Sequence, residues 1–249
     1  MDLDKPIASG NTAQVYRSNN DAIKLFNDDL PETEATKEAT KHRVAYAQGL
    51  PVPKIYDVTK VNGKPAIVME YIEGKTLGEM ACADQSQIER YMTLSVGLQQ
   101  QIHKIVPSQI ETMKDKLKRQ IQAATPLNKK QKSTLITKLE LFIYNERLCH
   151  GDFHLFNLIV GKEDQITIID WVDASIGDPR ADVYRTYLLY SQHFSDELAE
   201  MYMRIYCETS HYSKEEIFEW APIIAGARLA ESVTGESVKR LVKIVCDSI

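Results

Sequence analysis

The chain is short of the features that mark zinc-binding, secreted and membrane-spanning proteins. Its four cysteines lie far apart and form no CxxC pair, which argues against a zinc site and is typical of reduced thiols in the cytosol. No run approaches the roughly 18 to 20 apolar residues that a membrane-spanning helix needs. Residues 1–6 carry acidic side chains where a signal peptide has basic ones and then an apolar stretch. We therefore expect a cytoplasmic protein without a membrane partner.

The chain also lacks an excess of basic residues. Its formal net charge is -5, from 30 Lys and Arg against 35 Asp and Glu, so it has no broad positive field that would bind nucleic acid. Hydrophobic residues make up 43% of the chain, which is enough for a packed core without disulfides or a structural metal. The length of 249 residues permits one large domain or two modest lobes.

The first third of the chain has the pattern of a small sheet with one helix. The helix should end at Gly49, because two prolines follow closely and glycine favours helix ends. Asn62-Gly63 is a strong hairpin signal between two strand-like runs. The predicted elements are short strands within 5–27 (13–17 and 22–26 the clearest), a helix at 31–48, and strands at 54–60 and 65–71.

The character of the sequence changes after Glu73-Gly74, where helical patterns take over. The predicted order is helices within 76–147 (broken near Pro107 and 126–128), strands at 158–160 and 166–169, and helices from Pro179 onward. We therefore predict an N-terminal nucleotide-binding lobe at 1–73 and a catalytic, substrate-binding helical lobe at 74–249. A cleft between lobes is where ligands usually bind.

The most informative stretch is His150-Gly151-Asp152, which is followed by Asn157 and, after an apolar strand, by Asp170. Phosphoryl transfer needs a carboxylate that orients the attacking hydroxyl and accepts its proton. It also needs oxygen ligands that hold magnesium against the nucleotide phosphates. Asp and Asn are common in turns, but a turn predicts neither the flanking His-Gly nor the strand before Asp170. The pattern favours Asp152 as the catalytic base and Asn157 and Asp170 as magnesium ligands.

This order of residues resembles the catalytic loop and metal-binding aspartate of protein kinases. His-Gly-Asp is the version seen in aminoglycoside phosphotransferases and related choline, homoserine and fructosamine kinases, and the chain resembles that superfamily over most of its length. The resemblance implies an α+β, two-lobed protein-kinase-like fold with a small antiparallel-sheet N-lobe, one main helix there, and a larger, mostly helical C-lobe. It also implies a kinase that transfers the γ-phosphoryl group of ATP, with Mg²⁺, to a hydroxyl of a small molecule such as an aminoglycoside-like antibiotic, an amino alcohol or a sugar-like metabolite.

The resemblance also implies residues that bind the nucleotide. Lys24 resembles the strand lysine that contacts the α- and β-phosphates. Glu38 resembles the helical ion-pair partner of that lysine, and Glu34, one helical turn earlier, is the rival for this role. The hairpin turn that would cover the phosphates with its backbone consists of Ser9, Gly10, Asn11 and Thr12.

Segments further along the chain match the same superfamily. The run 68–74 resembles the hinge, where the backbone of Glu70 and Ile72 would read the purine edge, so that GTP is possible in place of ATP. Asp182 would brace the catalytic loop through buried hydrogen bonds. The segment 226–231 resembles a late helix that borders the acceptor pocket. No Ala-Pro-Glu segment follows Asp170, and we expect no regulatory activation loop.

Two other classes of function stay open, a nucleotide-binding scaffold without catalysis and a metal-dependent hydrolase. The hydrolase would use His150, Asp152 and His154, because alternate residues of an extended segment point the same way. Asp173 either adds a second carboxylate to the metal or caps a turn. The acceptor molecule and the oligomeric state are left open by the sequence.

Overall fold

Ten strands form the extended parts of the chain that the structure describes. The computed structural model describes residues 5–10, 12–28, 30–107, 109–231 and 237–248. In these ranges the strands are β1 (Ala8–Ser9), β2 (Ala13–Ser18), β3 (Asp21–Phe26), β4 (Ile55–Val61), β5 (Lys64–Glu70), β6 (Lys75–Thr76), β7 (Arg147–Cys149), β8 (Leu158–Val160), β9 (Ile166–Ile168) and β10 (Ser175–Gly177).

Most of the helices are preceded by a residue whose side chain accepts a hydrogen bond from a backbone N–H of the first turn. Asp178 is an example, and the helix that it caps has proline at its first position. In the described ranges the helices are α1 (Glu34–Ala47), α2 (Leu77–Ala83), α3 (Ile88–Ile102), α4 (Met113–Ala123), α5 (Lys129–Leu141), α6 (Pro179–His193), α7 (Asp196–Thr209), α8 (Lys214–Phe218), α9 (Ala221–Arg228) and α10 (Val238–Cys246).

The N-terminal sheet has the strand order β1-β2-β3-β5-β4, and every neighbouring pair is antiparallel. Asn62 and Gly63 both have positive φ, at 52° and 84°, which a tight hairpin turn between β4 and β5 requires. α1 ends before Gly49, whose φ is 77°. The predicted hairpin and helix end are confirmed, while the helix begins at Glu34, three residues later than predicted.

Both faces of this sheet carry buried side chains, which alternate along each strand. Phe26 packs with Ala35 and Ala39 of α1 on one face. Ile23 and Leu25 belong to a separate cluster on the other face. Lys24 shares the face of Phe26, and the alternation therefore directs its side chain towards α1.

A second, three-stranded sheet has the order β6-β8-β9. Leu158 pairs with Ile168, and Ile168 also donates its N–H to the carbonyl of Pro51 at 2.7 Å. Gly74 lies so close to Val160 that a Cβ there would stand 2.0 Å from the carbonyl oxygen. The strands predicted at 158–160 and 166–169 are therefore joined to the N-terminal part of the chain.

The chain forms two compact units. One unit comprises Met1–Gln85 and Leu155–Asp173, and the other comprises Ser86–His154 and Ala174–Ile249. Strands β8 and β9 of the second sheet belong to the first unit although they follow five helices in the sequence. The division of the chain between residues 73 and 74 into a nucleotide-binding lobe and a catalytic lobe stays a prediction, because it assigns a function to each part.

The second unit is built mainly of helices around a buried aromatic and aliphatic core. Trp220, Tyr202 and Leu135 are completely buried in it. Gly226 of α9 allows a close approach of α5, because a Cβ at that position would lie 2.5 Å from Leu135. The short strands β7 and β10 pair with each other, and β7 leads directly into His150. In the described residues no helix is both long and apolar enough to cross a membrane.

Candidate active site

Lys24 lies at the centre of a buried group of charges in the first unit. Its Nζ is 2.7 Å from Oε1 of Glu38 and 2.9 Å from Oδ1 of Asp170. Lys24 and Glu38 are nearly completely buried, whereas the Asp170 side chain is 37% exposed. Burial lowers the pKa of Lys24, but the charges and hydrogen bonds of the two carboxylates outweigh it and raise the pKa well above its ordinary value. Lys24 therefore stays protonated.

The rivalry between two glutamates of α1 is decided by position on the helix. Glu38 faces the sheet and binds Lys24, whereas Glu34 lies near the surface and binds Lys37 at 2.7 Å. The expected Lys24–Glu38 ion pair is thus present, and its action on phosphates stays a prediction. Lys41 of the same helix, which the sequence did not single out, donates to the carbonyl of Val172 at 2.5 Å and so ties α1 to the turn after Asp170.

Asn157 and Asp170 lie at the same end of the β8–β9 hairpin. Leu158 pairs with Ile168, so Asn157 stands opposite Ile169, whose N–H donates to the Asn157 carbonyl at 3.0 Å. Asn157 ends a short 3-10 turn and is buried. Antiparallel pairing therefore brings the two predicted magnesium ligands to one place, although thirteen positions separate them in the sequence.

The donor set at this end of the hairpin suits Mg²⁺, which prefers carboxylate, amide and water oxygens. Nζ of Lys24 donates to Oδ1 of Asp170, and Oδ2 accepts no hydrogen bond from the residues that the structure describes. Asp170 has φ of 62°, a left-handed conformation that is uncommon outside glycine and that aspartate and asparagine tolerate best. Asp173 lies half-buried in the following turn.

The proposed phosphate-covering turn joins β1 and β2. The N–H of Gly10 donates to the carbonyl of Ala13 at 2.9 Å, and the carbonyl of Thr12 accepts from Asn27 at 2.9 Å. Ser9 is the last residue of β1, and Asn11 lies outside the described residues. A Cβ on Gly10 would meet only the Ala13 oxygen, at 3.7 Å, so the fold itself does not require glycine there.

The proposed hinge continues β5. The N–H of Glu70 donates to the carbonyl of Lys54 at 2.8 Å, and the N–H of Tyr71 donates to the carbonyl of Asn20 at 3.1 Å. In contrast, the N–H of Ile72 has no main-chain acceptor in the part of the chain that the structure describes. An amide at this point can therefore donate to a ligand.

Asp152 belongs to the second unit and is half-buried. Its N–H donates to Nδ1 of His150 at 3.3 Å, and its Oδ2 lies 3.6 Å from Nε2 of His154. His150 is completely buried, with its ring edge-on to Phe153 at 5.5 Å between centroids. The two histidines therefore contact Asp152 on its backbone and on its side chain.

Asp182 braces the loop before Asp152, and this prediction is confirmed. Its Oδ1 accepts from the N–H of Gly151 at 2.7 Å, and its Oδ2 accepts from Gln99 at 3.0 Å and lies 2.9 Å from Nε2 of His103. Burial would raise the pKa of Asp182, but the bonds and charge of His103, with further bonds from Gln99 and Gly151, hold the pKa at about 2. The carboxylate is thus ionised throughout the ordinary pH range.

His103 and Gln99 have no sequence signal that distinguishes them from other polar residues of a helix. Arg185 has one, since it stands three positions after Asp182 and so shares its face of α6. Its Nε donates to the carbonyl of Gly151.

Within the described ranges, the structure does not group the three residues of the alternative hydrolase as metal ligands. Among the described residues, the group of three metal-binding side chains whose ligand atoms lie within 4.8 Å is His103, Cys149 and Asp182, and it does not include His150, Asp152 or His154. Asp182 in that group is already occupied by hydrogen bonds. His103 and Asp182 of that group therefore belong to a hydrogen-bonding network.

Comparisons with known proteins identify the family and the fold of this chain. A model of the phosphotransferase enzyme family (APH) matches residues 4–220. Choline kinase LicA from Streptococcus pneumoniae is similar in structure, with a TM-score of 0.68, 18% identity, and coverage of 99% of this chain and 94% of that one. The ADP-bound aminoglycoside phosphotransferase APH(2'')-Ib has a TM-score of 0.63, 15% identity, and coverage of 99% and 92%.

A curated relative, mouse acyl-CoA dehydrogenase family member 10, is 25% identical over 260 residues. The match covers 84% of this chain but only 24% of that protein, so the chain spans about a quarter of its length. The structural neighbours confirm the predicted α+β protein-kinase-like fold. Because the family model covers most of the chain, the chain belongs to the phosphotransferase enzyme family.

Proposed function

We propose that the chain transfers the γ-phosphoryl group of ATP to a hydroxyl group of a small molecule in the cytoplasm. The observation that carries the proposal is the buried Lys24, held between Glu38 at 2.7 Å and Asp170 at 2.9 Å. A permanently charged lysine beside a partly exposed carboxylate suits a triphosphate that arrives with a divalent cation. Similar structures that hold AMP and ADP support a nucleotide ligand.

In the proposed reaction each part of the site has one task. Lys24 steadies the phosphates, and the turn that contains Ser9, Gly10 and Thr12 lies over them with its backbone. The free N–H of Ile72 and the backbone of Glu70 read the purine edge. Magnesium, held by Asp170 and Asn157, neutralises charge on the phosphate oxygens.

Asp152 orients the acceptor hydroxyl and takes its proton as the oxygen attacks the γ-phosphorus. The bond from that phosphorus to the bridging oxygen breaks, and ADP leaves. No covalent enzyme intermediate is needed, because positioning and charge neutralisation supply the catalysis.

The acceptor is best sought among small hydroxylated molecules, because the neighbours named above are a choline kinase and an aminoglycoside phosphotransferase. We propose a screen of magnesium-dependent ADP formation across aminoglycosides, macrolides, amino alcohols, homoserine, sugars and glycated amines. Mass spectrometry of the acceptor identifies the phosphorylated product. Tight ATP binding without turnover of any acceptor would instead favour a scaffold.

Two substitutions test the assigned roles. Asp152→Ala should abolish transfer while the fold is kept, because this carboxylate is the proposed base and its side chain is partly exposed. Asp170→Asn should remove magnesium-dependent nucleotide binding, because it takes away the carboxylate and keeps a residue that adopts the left-handed backbone. Asp196→Asn is the matched control, since this aspartate of the second unit is 79% exposed at its side chain. Wild-type turnover in Asp152→Ala would show that the base is wrongly assigned.

A further inference from the structure

The peptide unit that leads into Asp152 is held at both of its polar groups. Its carbonyl, from Gly151, accepts a bond from Nε of Arg185, and its N–H, from Asp152, donates to His150 at 3.3 Å. The preceding N–H, also from Gly151, donates to Asp182. Gly151 has φ of 81°, so the chain turns sharply here in a conformation that glycine adopts without strain.

Arg185 is itself held by the half-buried carboxylate of Glu231. Its Nη1 and Nη2 lie 2.7 and 3.1 Å from the two oxygens of Glu231, a bidentate arrangement that fixes the plane of the guanidinium group. Glu231 also binds Arg228 at 2.5 Å and accepts from Gln120 at 3.0 Å. The carboxylate therefore neutralises two guanidinium groups that are 8% and 5% exposed.

The orientation of this peptide plane decides where the Asp152 carboxylate lies. The Cα of Asp152 belongs to the plane whose carbonyl Arg185 holds, so a rotation of the plane moves the whole side chain. An error of about 1 Å in the position of a catalytic group can cost roughly 100-fold in rate. A residue that fixes the plane thus acts on the reaction without touching a substrate.

We propose that Arg185 and Glu231 are positioning residues for Asp152, with Glu231 orienting Arg185 and Arg185 fixing the carbonyl of Gly151. The proposal rests on the proposed function, because it takes Asp152 as the base. It extends the brace provided by Asp182 to the opposite side of the same glycine.

Glu231→Gln is the principal test, because it keeps the shape of the side chain but removes the carboxylate charge that lies beside two buried guanidinium groups. We expect the rate of ADP formation from magnesium–ATP at saturation to fall roughly 10- to 100-fold. The dissociation constant of magnesium–ADP should stay within about twofold of wild type, since Lys24 and Asp170 belong to the other unit. Glu208→Gln is the control, because Glu208 makes an exposed ion pair with Arg204 at 3.2 Å.

A second measurement needs no acceptor and no activity. The protein has 11 glycines, so selective ¹⁵N labelling of glycine gives a simple spectrum, and the loss of one signal in Gly151→Ala assigns Gly151. In Glu231→Gln we expect the Gly151 N–H to exchange with solvent faster, while Gly97, in the middle of α3, is unchanged. If Glu231→Gln does not fold, Glu231→Asp keeps the charge, shortens the reach to Arg185 and is read by the same two measurements.

The outcomes separate the two proposals. Wild-type turnover and wild-type Gly151 exchange in a folded Glu231 variant would overturn the positioning role. An equal loss of turnover and of magnesium–ADP affinity would overturn it too, because it indicates a general structural role. If Asp152→Ala retains turnover while Gly151 exchange still depends on Glu231, the assignment of the base fails and the contact network stands.

Discussion

Replacing Glu38 by glutamine tests whether the buried ion pair with Lys24 stabilises the first unit. The change keeps the size of the side chain and removes the charge that lies 2.7 Å from the Lys24 ammonium group. Burial then opposes the protonated lysine more strongly, and the pKa of Lys24 should fall from its raised position.

The expected loss can be bounded from the structure. Removing one partner of a buried ion pair usually costs about 3 to 5 kcal/mol of the free energy of unfolding. Asp170 still lies 2.9 Å from Lys24 and neutralises part of the charge, although its side chain is 37% exposed. We therefore expect Glu38→Gln to lower the free energy of unfolding by about 2 to 3 kcal/mol.

Urea unfolding measures this loss through tryptophan fluorescence, since Trp171 in the first unit and Trp220 in the second are both fully buried. Glu34→Gln is the matched control on the same helix, and its partly exposed pair with Lys37 should contribute at most about 1 kcal/mol. The double change Lys24→Met with Glu38→Leu removes both charges and should return the stability to within about 1 kcal/mol of wild type, without restoring nucleotide binding. A Glu38→Gln variant as stable as wild type would refute this reasoning.

Three further predictions follow from single positions. Gly10→Ala should leave the melting temperature unchanged, because its Cβ meets only the Ala13 oxygen at 3.7 Å, but should weaken magnesium–ATP binding in a titration if the backbone lies against phosphate. Gly78→Ala should cost about 1 to 3 kcal/mol in urea unfolding, because its Cβ would lie 2.5 Å from the Phe156 ring, in the turn that carries the predicted magnesium ligand. The pKa of Asp182 is about 2 in the folded protein and 3.8 ordinarily, so its ionised form stabilises the fold above pH 4. About 2 kcal/mol of the free energy of unfolding should therefore be lost as the pH falls towards 2. Acid titrations of unfolding should show no such loss in Asp182→Asn.

Local signals were sufficient for most elements of the fold. Asn62-Gly63 and Gly49 predict a hairpin and a helix end because each position needs a positive φ that few other residues adopt, and the structure has it at all three. The grouping of Leu155–Asp173 with the N-terminal unit was not predictable in this way, because it depends on contacts such as Ile168 with Pro51, far apart in the sequence.

The candidate site shows the same distinction between local and distant information. The motif around Asp152, Asn157 and Asp170 is readable because the spacing itself carries the chemistry. Glu34 and Glu38 lie one turn apart on one helix, and only the packing of α1 on the sheet separates them. His103 and Glu231 contact Asp182 and Arg185 of α6, which bond to the loop before Asp152, and nothing in their neighbouring sequence indicates this.

The left-handed backbone at Asp170 affects how a descendant of this chain could lose its activity. Asparagine adopts that conformation almost as readily as aspartate, whereas alanine or a branched residue would strain the turn. A single-base change converts an aspartate codon to an asparagine codon and removes the carboxylate without disturbing the hairpin. An inactive but folded paralogue is therefore expected to carry an amide at this position, and genome surveys could use that residue to separate silent copies from working ones.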